Sequence, residues 1–379
     1  MNTLTPPRRI AILRALQLGD LLVAVPAFSA IRKHFPEAEI TLIGLPWAAS
    51  FVHRYSHYLD RFVAFAGYPG IQEQPFKAKH TAHFLAEQRN YHYDLVIQMH
   101  GSGQASNVLA LDLGAKQAVG YYEGTQPPGL TQGAPYPHDK HEIWRNLGIA
   151  SLLGCSHLDP HLEFPLFEED HAEAAALLRS LPRAGRPWIA LHSGSRPPAR
   201  RWPIEYFAAV ANNLVQRFNA QIILTGSPDE EQTVQAVLAH IKSPALNLAG
   251  KTSLGGMAAL MSKLDLFISN DTGPSHIACA VDTPSITLFG PADFRRWAPL
   301  DTIRHPFVRR PVACSPCGYW KCPIDHRCLR WLSPEMVLPL AQSFLQKRHF
   351  MEDDTCETSK NFDLAHSRQL PQYPGPHRP

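Results

Sequence analysis

Four stretches of this 379-residue chain concentrate the side chains that could do chemistry. The run Ser269-Asn270-Asp271-Thr272-Gly273-Pro274-Ser275-His276 follows an apolar strand pattern and opens a small-residue helix, Ile277-Ala278-Cys279-Ala280. Unsatisfied N–H groups and the dipole at a helix N-terminus favour an anion, so this junction suits a phosphate. Gly273 lets a diphosphate approach the backbone, Thr272 and Ser275 offer hydroxyls, and His276 sits one turn in. The plainer reading makes Asp271 or Thr272 a helix cap. A second polar loop, His192-Ser193-Gly194-Ser195, ends another strand pattern, and Arg200-Arg201-Trp202-Pro203 opens the helix after it. Guanidinium groups match a diphosphate, although solvated charge explains the arginines and packing explains Trp202 equally simply. Third, Leu18-Gly19-Asp20 stands at the first strand-to-helix turn, where a carboxylate facing a cleft can serve as general base or merely cap the helix. Fourth, Cys314, Cys317, Cys322 and Cys328 form a compact four-thiol array suited to a tetrahedral zinc or an iron–tetrathiolate centre of structural role, with free thiols as the alternative.

Two other motifs fail on inspection. Gly250-Lys251-Thr252 looks like the end of a phosphate loop, but Ala245 stands where that loop needs its first glycine. Gly101-Ser102-Gly103 is followed by Ser106 where a dinucleotide fingerprint needs a third glycine.

The elements that must position these groups alternate between strand and helix. Arg9–Arg14 and Glu39–Ile43 read as buried strands around a helical stretch from Asp20 to His34, and a crossover of that length implies a parallel sheet. Tyr93–Met99 is a further strand, emptying into His100-Gly101-Ser102-Gly103 at the kind of sheet end where α/β proteins hold ligands. The Gly, Pro, Gln and Tyr content of residues 120–140 predicts a long irregular loop, a lid or acceptor-facing segment. A boundary is expected near 160–187, where four prolines bracket a helix containing Ala172–Leu178. The alternation then restarts, with strands at Trp188–His192, Gln221–Thr225, Leu246–Leu248, Leu264–Ser269 and Ser285–Phe289, and helices at Pro203–Phe218, Glu230–Ile241 and Leu254–Met261. The expected organisation is a Rossmann-like unit over 1–170, a second over 180–331, a helix over 332–350 and a disordered tail over 351–379.

Composition narrows the field. The length exceeds what one hydrophobic core serves, which favours two domains. A hydrophobic fraction of 45% excludes a disordered chain, and a net charge of +3 gives no electrostatic footprint for nucleic acid. Proline, 34 of 379, is well above its usual share of about 5%, and it falls mostly in loops, the boundary and the tail. The first 30 residues imitate a secretory signal, but Arg14, Asp20 and Pro26 interrupt the apolar run. No stretch reaches about 18 uninterrupted apolar residues. These features lead to the expectation of a cytoplasmic protein with reduced thiols.

Taken in order, the motifs resemble the bacterial lipopolysaccharide heptosyltransferases, glycosyltransferase family nine. The matching residues are Leu16-Gln17-Leu18-Gly19-Asp20-Leu21 with Pro26-Ala27, and Asp94-Leu95-Val96-Ile97 with its following glycines. They continue with Arg200-Arg201-Trp202-Pro203-Ile204-Glu205-Tyr206-Phe207, Asn270 to His276, and Leu288-Phe289-Gly290-Pro291. The resemblance covers residues 8 to about 345 and implies an α/β fold of GT-B architecture, two Rossmann-like domains facing a central cleft. It further implies an inverting, metal-independent transfer of L-glycero-D-manno-heptose from an ADP-sugar to a lipopolysaccharide core acceptor, with no cofactor required for catalysis.

Carried over by position, Asp20 becomes the general base, and Thr272, Gly273 and His276 become diphosphate contacts. Asp271 orders the donor sugar or its loop. Arg200 falls where many relatives have lysine beside the leaving group, with Arg201 next to it and Ser195 at a small hydroxyl-bearing position near the phosphates. Asp229 and Glu230 are the weaker candidates for the ribose or adenine, and Gly19, Gly101 and Ser102 belong to the acceptor side. Some relatives that modify proteins resemble this chain in carrying an iron held by cysteines. The implied partners are an ADP-sugar and a lipid-anchored saccharide, with peripheral contact at the inner face of the cytoplasmic membrane. The alternatives are a protein heptosyltransferase, another GT-B transferase or epimerase, which as an epimerase turns over without acceptor, and a non-catalytic protein that binds a sugar nucleotide or a metal.

Overall fold

The computed structural model describes residues 6–181 and 183–360, the side chains of 348–360 excepted. Its two sheets are both parallel and both six-stranded. The first contains β1 (Arg9–Leu13), β2 (Glu39–Gly44), β3 (Arg61–Ala64), β4 (Leu95–Gln98), β5 (Gln117–Tyr122) and β6 (Gln132–Pro135) in the order β3-β2-β1-β4-β5-β6. The second contains β7 (Trp188–His192), β8 (Gln221–Thr225), β9 (Ala245–Asn247), β10 (Leu266–Asn270), β11 (Ser285–Phe289) and β12 (Phe307–Arg309) in the order β12-β11-β10-β7-β8-β9. Counted from its own first strand, each sheet therefore has the doubly wound 3-2-1-4-5-6 order. Its direction of winding reverses between β1 and β4 in one unit and between β7 and β10 in the other.

Continuous apolar runs make these strands central. Ile10 to Leu13, Ile40 to Ile43 and Leu266 to Ile268 are fully buried, as expected where helices cover both faces of a parallel sheet. The helix Glu168–Leu178 packs on Leu254–Met261 of the second unit and is tied back to the first by the Arg54–Asp170 ion pair, so one apolar cluster runs through both units. Two Rossmann-like units facing a cleft constitute the GT-B arrangement that the resemblance implies.

Several elements differ from the sequence-based expectations. The helix expected over Asp20–His34 is two helices, Leu18–Leu22 and Val25–His34, because the chain turns at Val23 and Ala24 and Pro26 occupies a first-turn position where its missing N–H costs nothing. Residues 120–140 are not one irregular loop. They complete β5 and supply β6, which pairs Val119 with Gln132 through Tyr122 with Pro135. That strand escapes a hydrophobic-pattern reading because it is a polar, half-exposed edge, the place where a strand tolerates Pro135. β3, β12 and the helices Ala48–Arg54, Ala78–Asn90 and Glu142–Leu152 are additional elements. The final helix runs Pro334–Lys360, beyond the 350 expected, through a stretch free of glycine and proline after Pro339; residues 361–379 of the expected tail lie outside the described residues. Among the described residues, no helix is long and apolar enough to cross a membrane.

Candidate functional site

The loops leaving β1, β4, β7 and β10 converge on the cleft between the units, the crevice beyond the carboxyl ends of strands where the winding reverses. A cleft of about 570 Å³ is lined from the first unit by Gln17 to Asp20 and from the second by Ser195, Arg200, Glu230, Asp271 to Gly273 and His276, among others. The two sides nearly touch. A β-carbon on Gly19 would lie 3.2 Å from the His276 ring and 3.4 Å from the Gly273 Cα, so a side chain there would crowd the point where the two helix starts meet.

The second-unit wall is built on Asn270, a fully buried amide at the end of β10. Its Nδ2 donates to the Ser193 carbonyl at 2.8 Å and to that of Gly194 at 3.2 Å, while its Oδ1 accepts from the Trp202 N–H at 2.9 Å. One side chain thus fixes both the β7 loop and the turn that carries Arg200. Thr272 is the extended N-cap of the helix Gly273–Ala280, and its side chain makes no capping bond. Arg200 Nη1 lies 3.0 Å from Asp271 Oδ2. Burial, opposed by Arg200 and reinforced by Asp20, lifts Asp271 to about 6. Burial, with His141 and Arg200 adding like charge, lowers His276 to about 4, so at neutral pH its ring is an uncharged donor and acceptor.

Asp20 faces this wall from the first unit. The turn that carries it is held by the buried Arg14, whose Nε and Nη2 donate to the Asp20 carbonyl at 2.9 and 2.7 Å, and whose Nη1 donates to Met99 O. Burial pushes the Asp20 carboxyl above the ordinary carboxylate range, with Arg14 pulling against it. Asp20 also lines a second cavity of about 200 Å³, as does Trp297, and the two residues therefore stand where the cavities adjoin.

That second cavity is walled by Arg14, Glu73, His100, Gly101, Glu142, Arg145 and Arg296 with their neighbours. Its charges are largely satisfied by one another. Glu142 and Arg145 are buried partners one helical turn apart, and Arg296 reaches across from the second unit with Nε 3.0 Å from Glu142 Oε1. His100 Nε2 is 3.4 Å from Glu73 Oε2, and its Nδ1 accepts from the Ala15 N–H at 3.2 Å. A second bridge between the units joins His141 Nε2 to the Ala298 carbonyl at 2.7 Å.

The placement corrects part of the sequence reading. Asp20, Ser195, Arg200, Glu230, Asp271, Thr272, Gly273, His276 and Gly19 share the large cleft, and Gly101 lines the second cavity. Arg201 does not line the cleft; its Nε donates to the Ser195 carbonyl at 2.9 Å, so it shapes the loop from behind. Asp229 is exposed and outside the cleft, because the turn Pro228–Glu230 directs Glu230 inward to accept from the Ser227 N–H at 2.9 Å. Ser102 lines neither cavity. Trp202 is a packing residue, buried and donating to Leu332 O at 2.7 Å. Trp297, Trp320, Glu142, Arg145 and Arg296 join the site from outside the motifs: a charged pair inside an amphipathic helix and a tryptophan in a loop carry no sequence signal that separates them from surface residues.

The four cysteines do gather around one small space of about 20 Å³. Cys314 is exposed, Cys328 is buried, and burial beside the other three sulfurs pushes the Cys328 thiol up to about 11. Among the described residues, no group of three or more His, Cys, Asp or Glu side chains is arranged to hold a metal ion, so the expected zinc or iron finds no fit here.

Residues 82–326 match the model of glycosyltransferase family 9 (heptosyltransferase). The chain is 26% identical over 307 residues to the lipopolysaccharide core heptosyltransferase OpsX of Haemophilus influenzae, covering 78% of this chain and 83% of that protein. It is 31% identical over 171 residues to lipooligosaccharide heptosyltransferase 2 of Campylobacter jejuni, a match spanning 44% of this chain and only 54% of that protein. The fold is similar to that of the Escherichia coli ADP-heptose lps heptosyltransferase II, with a TM-score of 0.70 at 19% identity over 90% of this chain and 99% of that one. Two facing Rossmann-like units, a charged cleft at their switch points and a family match over most of the chain together make this protein a member of glycosyltransferase family 9.

Proposed function

We propose that this protein is an inverting, metal-independent heptosyltransferase that moves a heptose from an ADP-heptose donor to a lipopolysaccharide core acceptor. The observation that carries the reading is the position of Asp20, shared by the donor cleft and the second cavity and facing the Gly273 helix start and Arg200. Departure of ADP builds negative charge on the diphosphate while the sugar ring becomes electron-poor. The Gly273 N–H at the start of Gly273–Ala280, the positive end of that helix's dipole, the Thr272 hydroxyl and the Arg200 guanidinium meet that negative charge from the second unit. From the opposite side, Asp20 takes the proton of the acceptor hydroxyl as its oxygen attacks the anomeric carbon, and attack opposite the departing diphosphate inverts that carbon. Burial above the ordinary carboxylate range strengthens Asp20 as a base once ionised.

Likeness to the E. coli ADP-heptose lps heptosyltransferase II supports ADP-heptose as donor, and the H. influenzae core heptosyltransferase supports the lipopolysaccharide core as acceptor. Arg200 and the helix start together supply the charge compensation that a divalent ion gives elsewhere, which supports transfer in the presence of a chelator. An acceptor anchored in a bilayer places the work at the inner face of the cytoplasmic membrane.

The test is a donor screen with ADP-heptose, UDP-sugars and GDP-sugars, first by thermal shift and then by turnover with a heptose-deficient core acceptor in EDTA. ADP-heptose should be the preferred donor, with product formed only when acceptor is present. Preference for a UDP-sugar would refute the heptosyl reading, and turnover without acceptor would indicate an epimerase instead.

A further inference from the structure

The cysteine-rich segment has a relation to the cleft that its thiols do not explain. It is laced to the catalytic turn at one residue, Ala199, whose N–H donates to the Trp320 carbonyl at 3.1 Å and whose carbonyl accepts from His326 Nε2 at 2.5 Å. Ala199 immediately precedes Arg200. The same segment is fastened to the loop after β11 by the Cys317 N–H on Pro291 O at 2.8 Å and the Ser315 hydroxyl on Gly290 O at 2.7 Å. Fixed in this way, the segment presents Trp320 to the large cleft, where Arg196 sits over the indole with its Cζ 5.9 Å from the ring centroid.

Trp320 is 57% exposed, unusual for so large an apolar surface with a cleft beside it to fill. Its place along the cleft is informative. Trp297 lines both cavities with Asp20 and so marks the end where sugar meets acceptor, whereas Trp320 lines the donor cleft alone. With the diphosphate held between Gly273 and Arg200 and the sugar turned to Asp20, the nucleoside is left for the rest of the cleft, where Glu230, Leu254 and Met257 also stand and Trp320 supplies the tryptophan face. An indole offers a base a stacking face that needs no hydrogen-bond readout.

We propose that Trp320 is the nucleobase platform of the donor cleft, and that the cysteine-rich segment serves the site by holding this indole and the Arg200 turn in fixed relation. The inference rests on the ADP-sugar reading of the cleft.

It is tested by isothermal titration of the full chain with ADP and with inorganic pyrophosphate, which keeps the diphosphate and lacks the base. Trp320→Ala should weaken ADP binding on the order of tenfold, the loss of one base–aromatic stack, and leave pyrophosphate binding unchanged. Trp320→Phe should bind ADP within about threefold of the wild type, since a flat ring remains. Tyr319→Ala, which alters an exposed aromatic neighbour that does not line the cleft, should change neither. Equal weakening for ADP and pyrophosphate in Trp320→Ala would assign Trp320 a merely structural role and overturn the platform. Unchanged ADP affinity in that variant would overturn it as well. Failure of the wild type to bind ADP is a separate result, which overturns the donor reading together with this one. Should Trp320→Ala not fold, Trp320→Leu, which fills the space without a π-face, is expected to behave like the alanine variant, and wild-type ADP affinity there would count against stacking.

Discussion

The two cavities that meet at Asp20 are built in opposite ways. In the donor cleft Arg200 pairs with Asp271, but other groups stand ready for a ligand: the Thr272 side chain makes no capping bond, the helix start presents the Gly273 N–H, and the indole of Trp320 is more than half exposed. In the smaller cavity the charges are already engaged with each other or with backbone carbonyls, Arg14 on Asp20 and Met99, and Arg145 and Arg296 on Glu142. The first is a preorganised binding surface and the second a self-neutralising frame, so the same residue types do different work. Losing a group from the cleft should cost catalysis, while losing one from the frame should cost stability, because a buried charge is left without its counter-charge.

The largest effect expected from breaking this contrast is at the shared residue. Asp20→Ala should lower the turnover number at least about 10³-fold, within the range for loss of a general base, while ADP affinity stays within about threefold. Transfer near the wild-type rate would remove Asp20 from the mechanism. Next, Glu142→Ala removes the carboxylate that neutralises the buried Arg145, leaving it only backbone carbonyls as hydrogen-bond partners, and should reduce unfolding stability by about 3 kcal/mol, read from urea denaturation at unchanged slope. A loss below about 1 kcal/mol would mean that the frame is not a frame. Arg200→Ala should cut turnover about 10²-fold through lost compensation of the departing diphosphate, with Arg200→Lys recovering much of it, since lysine keeps the charge and loses the fork.

A pH profile sharpens the comparison further. Asp20 must be ionised to accept a proton, and burial holds it above the ordinary value of about 4, so activity should fall on acidification through a range higher than that. Asp271, lifted to about 6, protonates in the same direction and then loses its pairing with Arg200. The acid limb of kcat should therefore approach a two-proton slope, reduced to one proton in Asp271→Asn. A wild-type limb lying wholly below pH 4 would contradict the burial of both carboxylates. The smallest effect is at Asp229, which is outside the cleft, and Asp229→Ala should leave ADP affinity within about twofold.

The difference between the cavities also explains what could be read in advance. The donor side was legible because each of its parts is a short contiguous run at the end of an apolar strand: Asp271-Thr272-Gly273 after β10, Ser193-Gly194-Ser195 after β7, Gly19-Asp20 after β1. A strand pattern followed by glycine and hydroxyl residues announces its own chemistry. The second cavity draws Arg14, Glu73, His100, Glu142 and Arg296 from five separate stretches, and nothing local distinguishes Glu142 on its helix from a solvated glutamate. Within the runs, too, neighbours parted: Glu230 turns inward to cap its own turn while Asp229 faces water, and Arg201 goes behind the loop while Arg200 enters the cleft.

By itself the sequence determined the alternation of buried strands and helices, the parallel sense that such crossovers impose, and which strand ends bear the polar runs. These follow from periodicity, chain connectivity and turn chemistry, all local in character. Tertiary structure alone decided that Gly19 meets Gly273, that Asp20 stands between two cavities, that Glu142 takes an arginine from each unit, and that the cysteine-rich segment delivers a tryptophan to the cleft. Each of these joins residues far apart in the chain, and a contact of that kind exists only once both sheets have wound and their switch points face one another.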